Sequence, residues 1–215
     1  MQIVAFIAFL VFGLQAQLSL PGPSSDRIVS THLKMRKNFA QGGRYIQGIR
    51  QPSATNMMKM AWDSSLATSA QNYAATCPTG RSGATGYGEN IRFVYTTAPI
   101  SPLDGYAIDA PVYWDQQFGN YGLPSLTMTS SILASGVADA TQMAWAKSKL
   151  IGCGVTDCGP DASQNNKTKI VVICHYSPKG NIIGETMYEA GITCSNCPSP
   201  TACESEMGFS TGMCV

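Results

Sequence analysis

Two stretches decide the fold of this chain: Gly86-Tyr87-Gly88-Glu89-Asn90-Ile91 and Ala138-Asp139-Ala140-Thr141-Gln142-Met143-Ala144-Trp145. Each stretch carries one carboxylate, Glu89 or Asp139, among small, polar and aromatic residues. Several shorter motifs lie around them, and the order and spacing of the whole set indicate a fold better than any one motif does. The chemistry of the molecule depends on which side chains surround the two carboxylates.

The first residues predict a secretory signal peptide. Residues 3–14 are almost wholly apolar and carry no charge, and Ala16 offers a small residue near a cleavage site. A bilayer span takes roughly 20 apolar residues, so this run is too short for one and we favour export over a membrane anchor. We expect residues 1–16 to be removed and the mature protein to be secreted.

The composition of the chain excludes several classes of partner. The formal net charge is +1 and only 13% of the residues are charged, with no basic run. Nucleic-acid binding requires a basic surface, which this composition does not provide. No later stretch is long and apolar enough for stable membrane insertion. About 200 residues remain after the signal peptide, enough for one domain with a sizeable core.

Eight cysteines in an exported chain predict disulfide bonds. Four are spread through the body of the chain, and four lie close together from Cys194 onward. Because eight cysteines allow 105 pairings, spacing alone leaves the connectivity open. A zinc knuckle on Cys194-x-x-Cys197 is the alternative for the second group. Asn166-Lys167-Thr168 is an N-glycosylation sequon in a polar run typical of an exposed loop.

Apolar periodicity predicts three helices. The first covers residues 26–36 with Asp26 as its N-cap, and the second is capped by Asp63. The third covers residues 107–118, with Pro111 near its start, where proline is tolerated.

Two continuous β-branched runs, at residues 150–155 and 170–176, predict buried strands. From residue 193 onward the apolar residues follow neither a helix period nor a strand period. This segment is predicted to be a small disulfide-linked tail, too short for a core of its own. Helices and strands without strict alternation favour an α+β fold, one sheet covered by helices.

The motifs in their order resemble the CAP superfamily (cysteine-rich secretory proteins, antigen 5 and pathogenesis-related 1), and in particular its nematode secreted, venom-allergen-like group. Besides the two opening stretches, they are His32-x3-Arg36, Met60-x-Trp62-Asp63, Ile151-Gly152-Cys153-Gly154 and Val172-x-Cys174-x-Tyr176-x3-Gly180-Asn181. The resemblance implies a three-layer α-β-α sandwich over residues 24–190, followed by a short cysteine-rich, hinge-like tail over residues 191–215.

The resemblance also implies how the cysteines pair. The implied bridges are Cys77–Cys158 and Cys153–Cys174 in the body, and Cys194–Cys203 and Cys197–Cys214 in the tail. Closing a loop as long as the first one contributes roughly 4 kcal/mol on the chain-entropy model. Such bridges help an exported protein to stay folded outside the cell, but they do not indicate any activity.

The cleft of the family is lined by two histidines and two glutamates, and this chain keeps one of the four. Glu89 is the retained glutamate, whereas the other positions hold Arg81, Gln117 and Asp139. A guanidinium has no lone pair for a metal, so Arg81 cannot replace an imidazole ligand. Gln117 offers only a neutral carbonyl, and Arg81 competes with any cation for Asp139. We therefore expect Arg81 to close the cleft by pairing with Glu89 or Asp139, and we expect no zinc or other cofactor.

Catalytic groups of other kinds are also not evident in the sequence. His32 shares an apolar helix face and His175 lies within a buried strand, so a structural role is favoured for both. Paired cysteines supply no nucleophile, no Gly-x-Ser-x-Gly motif occurs, and Ser82 has no histidine beside it. Glu89 itself could simply fix the loop after the second helix by accepting backbone N–H groups. We expect no enzymatic activity.

These features predict a secreted, disulfide-stabilised, non-enzymatic protein that binds an extracellular partner, either a protein or a lipid. Two surfaces are candidates: the altered cleft, and the apolar stretch from Phe93 to Tyr106, which could instead cover the core. Because some members of the family bind sterols or fatty acids, a lipid carrier is the first alternative. A hydrolase with a metal-dependent cleft is the second.

Overall fold

The described part of the chain is an α+β domain with three layers, as predicted. The computed structural model describes residues 20, 22–100 and 102–215, so the predicted signal peptide lies outside the described residues. The helices are α1 Gly22–Ala40, α2 Ser64–Ala74, α3 Asp104–Tyr121, α4 Ser130–Ala134 and α5 Ala138–Ala144. The strands are β1 Tyr45–Ile46, β2 Ile49–Arg50, β3 Ala61–Trp62, β4 Gly88–Thr96, β5 Leu150–Asp161, β6 Lys167–Ser177, β7 Cys203–Glu206 and β8 Phe209–Cys214.

A four-stranded sheet in the order β3-β5-β6-β4 forms the middle layer. β6 runs antiparallel to both of its neighbours, and the short β3 runs parallel to β5. α2 covers one face of the sheet over Val171 and Ile173, while α1, α3 and α5 cover the other face around Trp114 and Trp145. The two predicted strands, residues 150–155 and 170–176, lie within β5 and β6. β4 was not predicted, because its first residues, Gly-Glu-Asn, are poor strand formers.

Two glycines allow α2 to lie directly on β5. A β-carbon at Gly152 would lie 2.0 Å from the backbone nitrogen of Ala67, and one at Gly154 would lie 2.4 Å from the Cα atom of Gln71. Glycine in a strand often marks such a close approach of another backbone. Asp63 is the N-cap of α2, as predicted, and accepts a backbone N–H of the first turn. The helix is thereby fixed on its face of the sheet.

The first and third helices are longer than predicted. α1 begins at Gly22, so Asp26 is an exposed residue inside the helix and not its N-cap. The segment before Asp26 contains Pro23, but the first turn tolerates proline because its missing N–H would have no partner within the helix. α3 begins at Asp104, so Pro111 lies inside the helix and not near its start. Among the described residues, no helix is long and apolar enough to cross a membrane.

All eight cysteines are paired in the structure, in the pattern that the resemblance implies: Cys77–Cys158, Cys153–Cys174, Cys194–Cys203 and Cys197–Cys214. No thiolate therefore remains for a zinc knuckle in the tail. The tail also contains an antiparallel hairpin of β7 and β8, which the sequence pattern did not predict. It needs no core of its own, because Met213 packs into the main core and the N–H of Cys214 donates to the carbonyl of Met57.

In the described part of the apolar stretch from Phe93 to Tyr106, the large apolar side chains are half-buried against the core. Phe93 belongs to β4 and packs against the small core under α2. Ile100, Leu103 and Tyr106 pack against the main core on the other side of the sheet. These contacts agree with the expectation that the stretch covers the core, and we take the cleft as the first candidate site.

Candidate functional site

A cleft opens where the loop between α2 and β4 faces α5 and the turn after β6. Its volume is about 340 Å³, and its lining residues include Arg81, Glu89 and Lys179. The two opening stretches meet at its base, where a β-carbon at Gly88 would lie 2.1 Å from Oε1 of Gln142. The fold-deciding stretches are therefore also the two walls of the candidate site.

Gln142 fixes the base of the cleft. Its side chain is almost fully buried, its Oε1 accepts the backbone N–H of Gly180 at 2.9 Å, and its Nε2 donates to Oγ of Ser148 at 3.0 Å. Because both ends of this amide are used, Gln142 cannot turn away to make room for a side chain at position 88. Gly88 is therefore required by the close approach of α5 to β4.

Arg81 reaches across the cleft and pairs with Asp139. Its Nη2 lies 2.5 Å from Oδ1 of Asp139, and its Nη1 donates to the backbone carbonyl of Glu89. The side chain of Asp139 is only 10% exposed, whereas that of Arg81 is 42% exposed. Of the two carboxylates expected to pair with Arg81, the structure places Asp139 in the ion pair and leaves the Glu89 carboxylate to other donors.

Gln117 holds Asp139 from the opposite side. Its Nε2 donates to Oδ2 of Asp139 at 2.9 Å, and its Oε1 accepts the backbone N–H groups of Asp139 and Ala140, each at 3.1 Å. Both carboxylate oxygens of Asp139 thus have donors. The three altered positions of the cleft, Arg81, Gln117 and Asp139, form a single hydrogen-bonded unit.

Glu89 is held by the loop that carries Arg81 and by β6. Its Oε1 accepts the backbone N–H of Ser82 at 2.8 Å, and its Oε2 lies 3.2 Å from Nε2 of His175. Burial alone would raise the pKa of the Glu89 carboxyl, but the hydrogen bonds from His175 and Ser82 outweigh burial and hold the pKa below its usual value. The carboxylate is therefore ionised at neutral pH, and it fixes the loop as a backbone acceptor.

His175 links Glu89 to Ser69 of α2, a chain of contacts that the sequence did not predict. Because a carboxylate can only accept, Nε2 of His175 donates to Glu89, and Nδ1 faces Oγ of Ser69 at 3.1 Å. The imidazole is fully buried and stacks on Tyr87 with ring centroids 3.8 Å apart. Glu89 and His175 are register partners of β4 and β6, so only the unpredicted pairing of these strands brings them together.

A second buried network lies behind the cleft. Nδ2 of Asn90 donates to the backbone carbonyl of Asp139 at 2.9 Å and to the hydroxyl of Tyr176 at 3.1 Å. That hydroxyl lies 2.9 Å from Nε2 of His32, whose Nδ1 donates to the carbonyl of Ile28 at 2.8 Å. Burial lowers the pKa of His32 to about 4, so its imidazole is neutral at physiological pH. His32 is the hydrogen-bonded core histidine that its helix position predicted.

A comparison with family models identifies the scaffold. The model described as the cysteine-rich secretory protein family, CAP, matches residues 30–176, which is more than half of the chain. The chain belongs to the CAP family. Peptidase inhibitor 16 of Bos taurus is 31% identical over 160 residues, a segment that covers 73% of this chain but only 32% of that protein. The chain thus spans about a third of the length of this curated relative.

Solved structures of CAP proteins share the architecture described above. The crystal structure of NaASP2 with Zn²⁺ has a TM-score of 0.75 and 26% identity, over 92% of this chain and 97% of that one. The structure of BmVAL-1 has the same TM-score at 28% identity, over 91% of this chain and 95% of that one. The resemblance to the nematode secreted, venom-allergen-like group of CAP proteins is confirmed.

The residues of this CAP cleft do not fit a zinc ion. Arg81 has no lone pair to offer, and it occupies the Asp139 carboxylate with a positive charge of its own. The Gln117 carbonyl and both Glu89 oxygens already accept hydrogen bonds from protein groups. Zinc sites in proteins are built from imidazole, thiolate and carboxylate ligands. A zinc ion here would have to displace the guanidinium and break at least two of these hydrogen bonds.

Proposed function

We propose that this protein is a secreted, non-enzymatic CAP protein that binds an extracellular protein partner through a metal-free cleft. The observation that carries the proposal is the ion pair of Arg81 and Asp139, which Gln117 holds in place. An internal cation of this kind supplies the positive charge that a metal would supply, but it has no open coordination position for water or substrate. The cleft is therefore suited to recognition and not to metal-assisted hydrolysis.

The names of the relatives support a binding role. Several CAP proteins that match this chain are named peptidase inhibitors or venom allergens, and none of these names describes a catalyst. Inhibitors act by occupying a partner's surface, which a rigid, disulfide-linked domain can do without chemistry of its own. We propose the CAP domain at residues 24–190 and the tail at residues 191–215 as the parts of the mature chain.

Secretion is supported by the disulfides and by the position of the sequon. All eight cysteines are paired, which is typical of proteins that fold in an oxidising compartment. Asn166 is exposed in the connection between β5 and β6, where a glycan would extend into solvent. We propose that residues 1–16 direct export and that Asn166 carries the glycan.

Native mass spectrometry of the protein secreted from insect cells tests this proposal. We expect the mature chain to start after residue 16, to lose mass on enzymatic deglycosylation, and to bind no zinc when zinc chloride is added at micromolar concentration. The Asn166→Gln variant is the matched control for the glycan. A stoichiometric zinc adduct on the unaltered protein that is lost in Asp139→Ala would overturn the metal-free cleft.

The lipid-carrier alternative retains one supporting observation. A groove of about 280 Å³ lies between α1 and α3, and its lining residues include Met35, Val112 and Met143 beside Lys34, Arg44 and Asp115. The apolar side chains would suit an acyl chain and Lys34 would suit its carboxylate, whereas Arg44 is already paired with Asp115. A copurifying acyl chain in the same native spectra would favour a carrier, whereas a bare protein mass favours the binding protein.

The hydrolase alternative now depends on Ser69 rather than on a metal. Ser69, His175 and Glu89 are hydrogen-bonded in a row, as in a serine-hydrolase triad. However, the imidazole is fully buried and stacks on the ring of Tyr87, which favours a structural role for this row of groups. We expect a fluorophosphonate probe that labels trypsin to leave this protein unlabelled. Labelling that disappears in Ser69→Ala would show that the protein is a hydrolase.

A further inference from the structure

The charged groups of the cleft differ in how far they reach solvent. The two carboxylate side chains are nearly buried, with 7% of Glu89 and 10% of Asp139 exposed. The Arg81 side chain is 42% exposed despite its contact with Asp139, and Lys179 is an exposed residue of the same lining. Positive and negative charges are equal in number, but a partner that enters the cleft meets the cations first.

The carboxylates also differ from Lys179 in the contacts they already make. Each oxygen of Glu89 and of Asp139 accepts a hydrogen bond from a group of the protein. These bonds and the burial together leave little of either carboxylate for a cation from outside. The Lys179 ammonium, in contrast, has no hydrogen bond or ion pair with any residue that the structure describes. Lys179 is thus the charged group of the cleft that a partner can use.

The backbone is held on both sides of Lys179. The carbonyl of Pro178 accepts a hydrogen bond from Oγ of Ser148 at 2.7 Å. The N–H of Gly180 donates to the buried side chain of Gln142 at 2.9 Å. Lys179 is therefore presented to the cleft from a fixed turn, so little backbone freedom is lost when its ammonium binds a partner.

An accessible ammonium beside an accessible guanidinium is complementary to a carboxylate, which accepts charge-assisted hydrogen bonds from both. From these features we infer that the cleft receives an aspartate or glutamate side chain of a protein partner, and that Lys179 selects it. The inference rests on the protein-binding cleft proposed above and adds the chemistry of the partner. An anionic membrane is the other source of such a group, but membrane attraction takes a cluster of about four to eight basic residues, more than this cleft contains.

The first measurement asks whether the peptides that enter the cleft are acidic. The probe is a phage-displayed library of random twelve-residue peptides, selected on the secreted protein and depleted on Ala84→Trp, which places a large side chain on the cleft lining. We expect the remaining peptides to be enriched in aspartate and glutamate. Synthetic copies with an amidated C-terminus, in which asparagine and glutamine replace the acidic residues, should bind about 10-fold more weakly.

The second measurement tests Lys179 itself. Lys179→Glu should weaken binding of the acidic peptides about 10-fold or more, because like charges would then face each other. Lys179→Arg keeps the positive charge and should change the Kd by less than about 3-fold. Arg27→Glu, the matched control, makes the same charge change at an exposed position of α1 outside the cleft lining and should leave the Kd unchanged. Fluorescence anisotropy of labelled peptides measures each Kd, and thermal unfolding checks that each variant is folded.

The contrary results separate this inference from the proposed function. Cleft-dependent peptides without acidic residues, or acidic peptides that bind Lys179→Glu as tightly as the unaltered protein, would overturn the inference and leave a protein-binding cleft. A library that yields no cleft-dependent peptide would overturn both. Lys179-dependent binding to phosphatidylserine vesicles, with no binding to acidic peptides, would identify a lipid headgroup as the anion and would also overturn the inference.

Discussion

The triple variant Arg81→His/Gln117→Glu/Asp139→His is expected to bind zinc roughly 100-fold more tightly than the unaltered protein, a gain of about 2.8 kcal/mol. The three altered side chains already converge on one point, since Arg81 and Gln117 both contact the Asp139 carboxylate. Replacing them restores the two histidines and two glutamates of the family's cleft. It also removes the guanidinium that competes with a cation.

Isothermal titration calorimetry with zinc chloride at neutral pH measures this gain, and thermal unfolding checks that each variant is folded. The single variant Arg81→His is the matched control. It removes the competing cation but keeps Gln117 and Asp139, so we expect it to bind zinc more weakly than the triple variant. Equal zinc affinity of the triple variant and the unaltered protein would contradict the view that these three residues determine the metal-free state.

The residues that line the cleft could be predicted from the sequence, but the hydrogen bonds and ion pairs among them could not. Arg81, Gln117 and Asp139 were identified as a set because each lies at a fixed offset from a recognisable motif. The choice of Asp139 over Glu89 as the partner of Arg81 depends on the path of the loop between α2 and β4. That path is set by the N–H of Ser82 on the Glu89 carboxylate. A loop-fixing role for Glu89 could be considered from the sequence, but not where the loop would place the Arg81 side chain.

The contact of His175 with Glu89 was missed for a different reason. It requires β4 to pair with β6 in one register, and β4 begins with residues that seldom form strands. The continuous apolar strand correctly predicted that His175 is buried, but not which groups it would contact. The tail hairpin escaped prediction because its strands are short and its stability comes from disulfides and contacts with the main domain. The spacing of apolar residues along the chain indicates neither disulfides nor contacts with another part of the protein.

Arg36 of α1 binds backbone carbonyls at the end of α5, in the residues that follow α5, and before β3. The side chain is fully buried, and its guanidinium donates to the backbone carbonyls of five residues at 2.6–3.2 Å: Met58, Met143, Trp145, Ala146 and Ser148. Burial lowers the pKa of Arg36 to about 9, which still leaves it charged at neutral pH. The first-helix motif marked this residue in the sequence without indicating what it does.

We expect Arg36→Ala to lower the free energy of unfolding by about 4 kcal/mol or more, because the carbonyls of Met58, Met143 and Ser148 would lose their donor and each such loss costs about 1–3 kcal/mol. The carbonyls of Trp145 and Ala146 would keep a backbone N–H donor. For a domain of this size, the Tm should fall by roughly 10 °C. Arg36→Lys should recover only part of this loss, since an ammonium group has three donors and no planar fork with which to reach five carbonyls. Thermal unfolding followed by circular dichroism measures both changes.

Arg27→Ala is the matched control, because Arg27 lies on the exposed face of the same helix. It should change the stability by less than about 0.5 kcal/mol. If Arg36→Ala were as mild as Arg27→Ala, water would have to replace the guanidinium at the carbonyls left without a donor. Because α5 and the following residues also hold Asp139 and Gln142, we expect Arg36→Ala to loosen the cleft as well as the core. Faster hydrogen exchange at residues 138–148 than in Arg27→Ala would demonstrate that coupling.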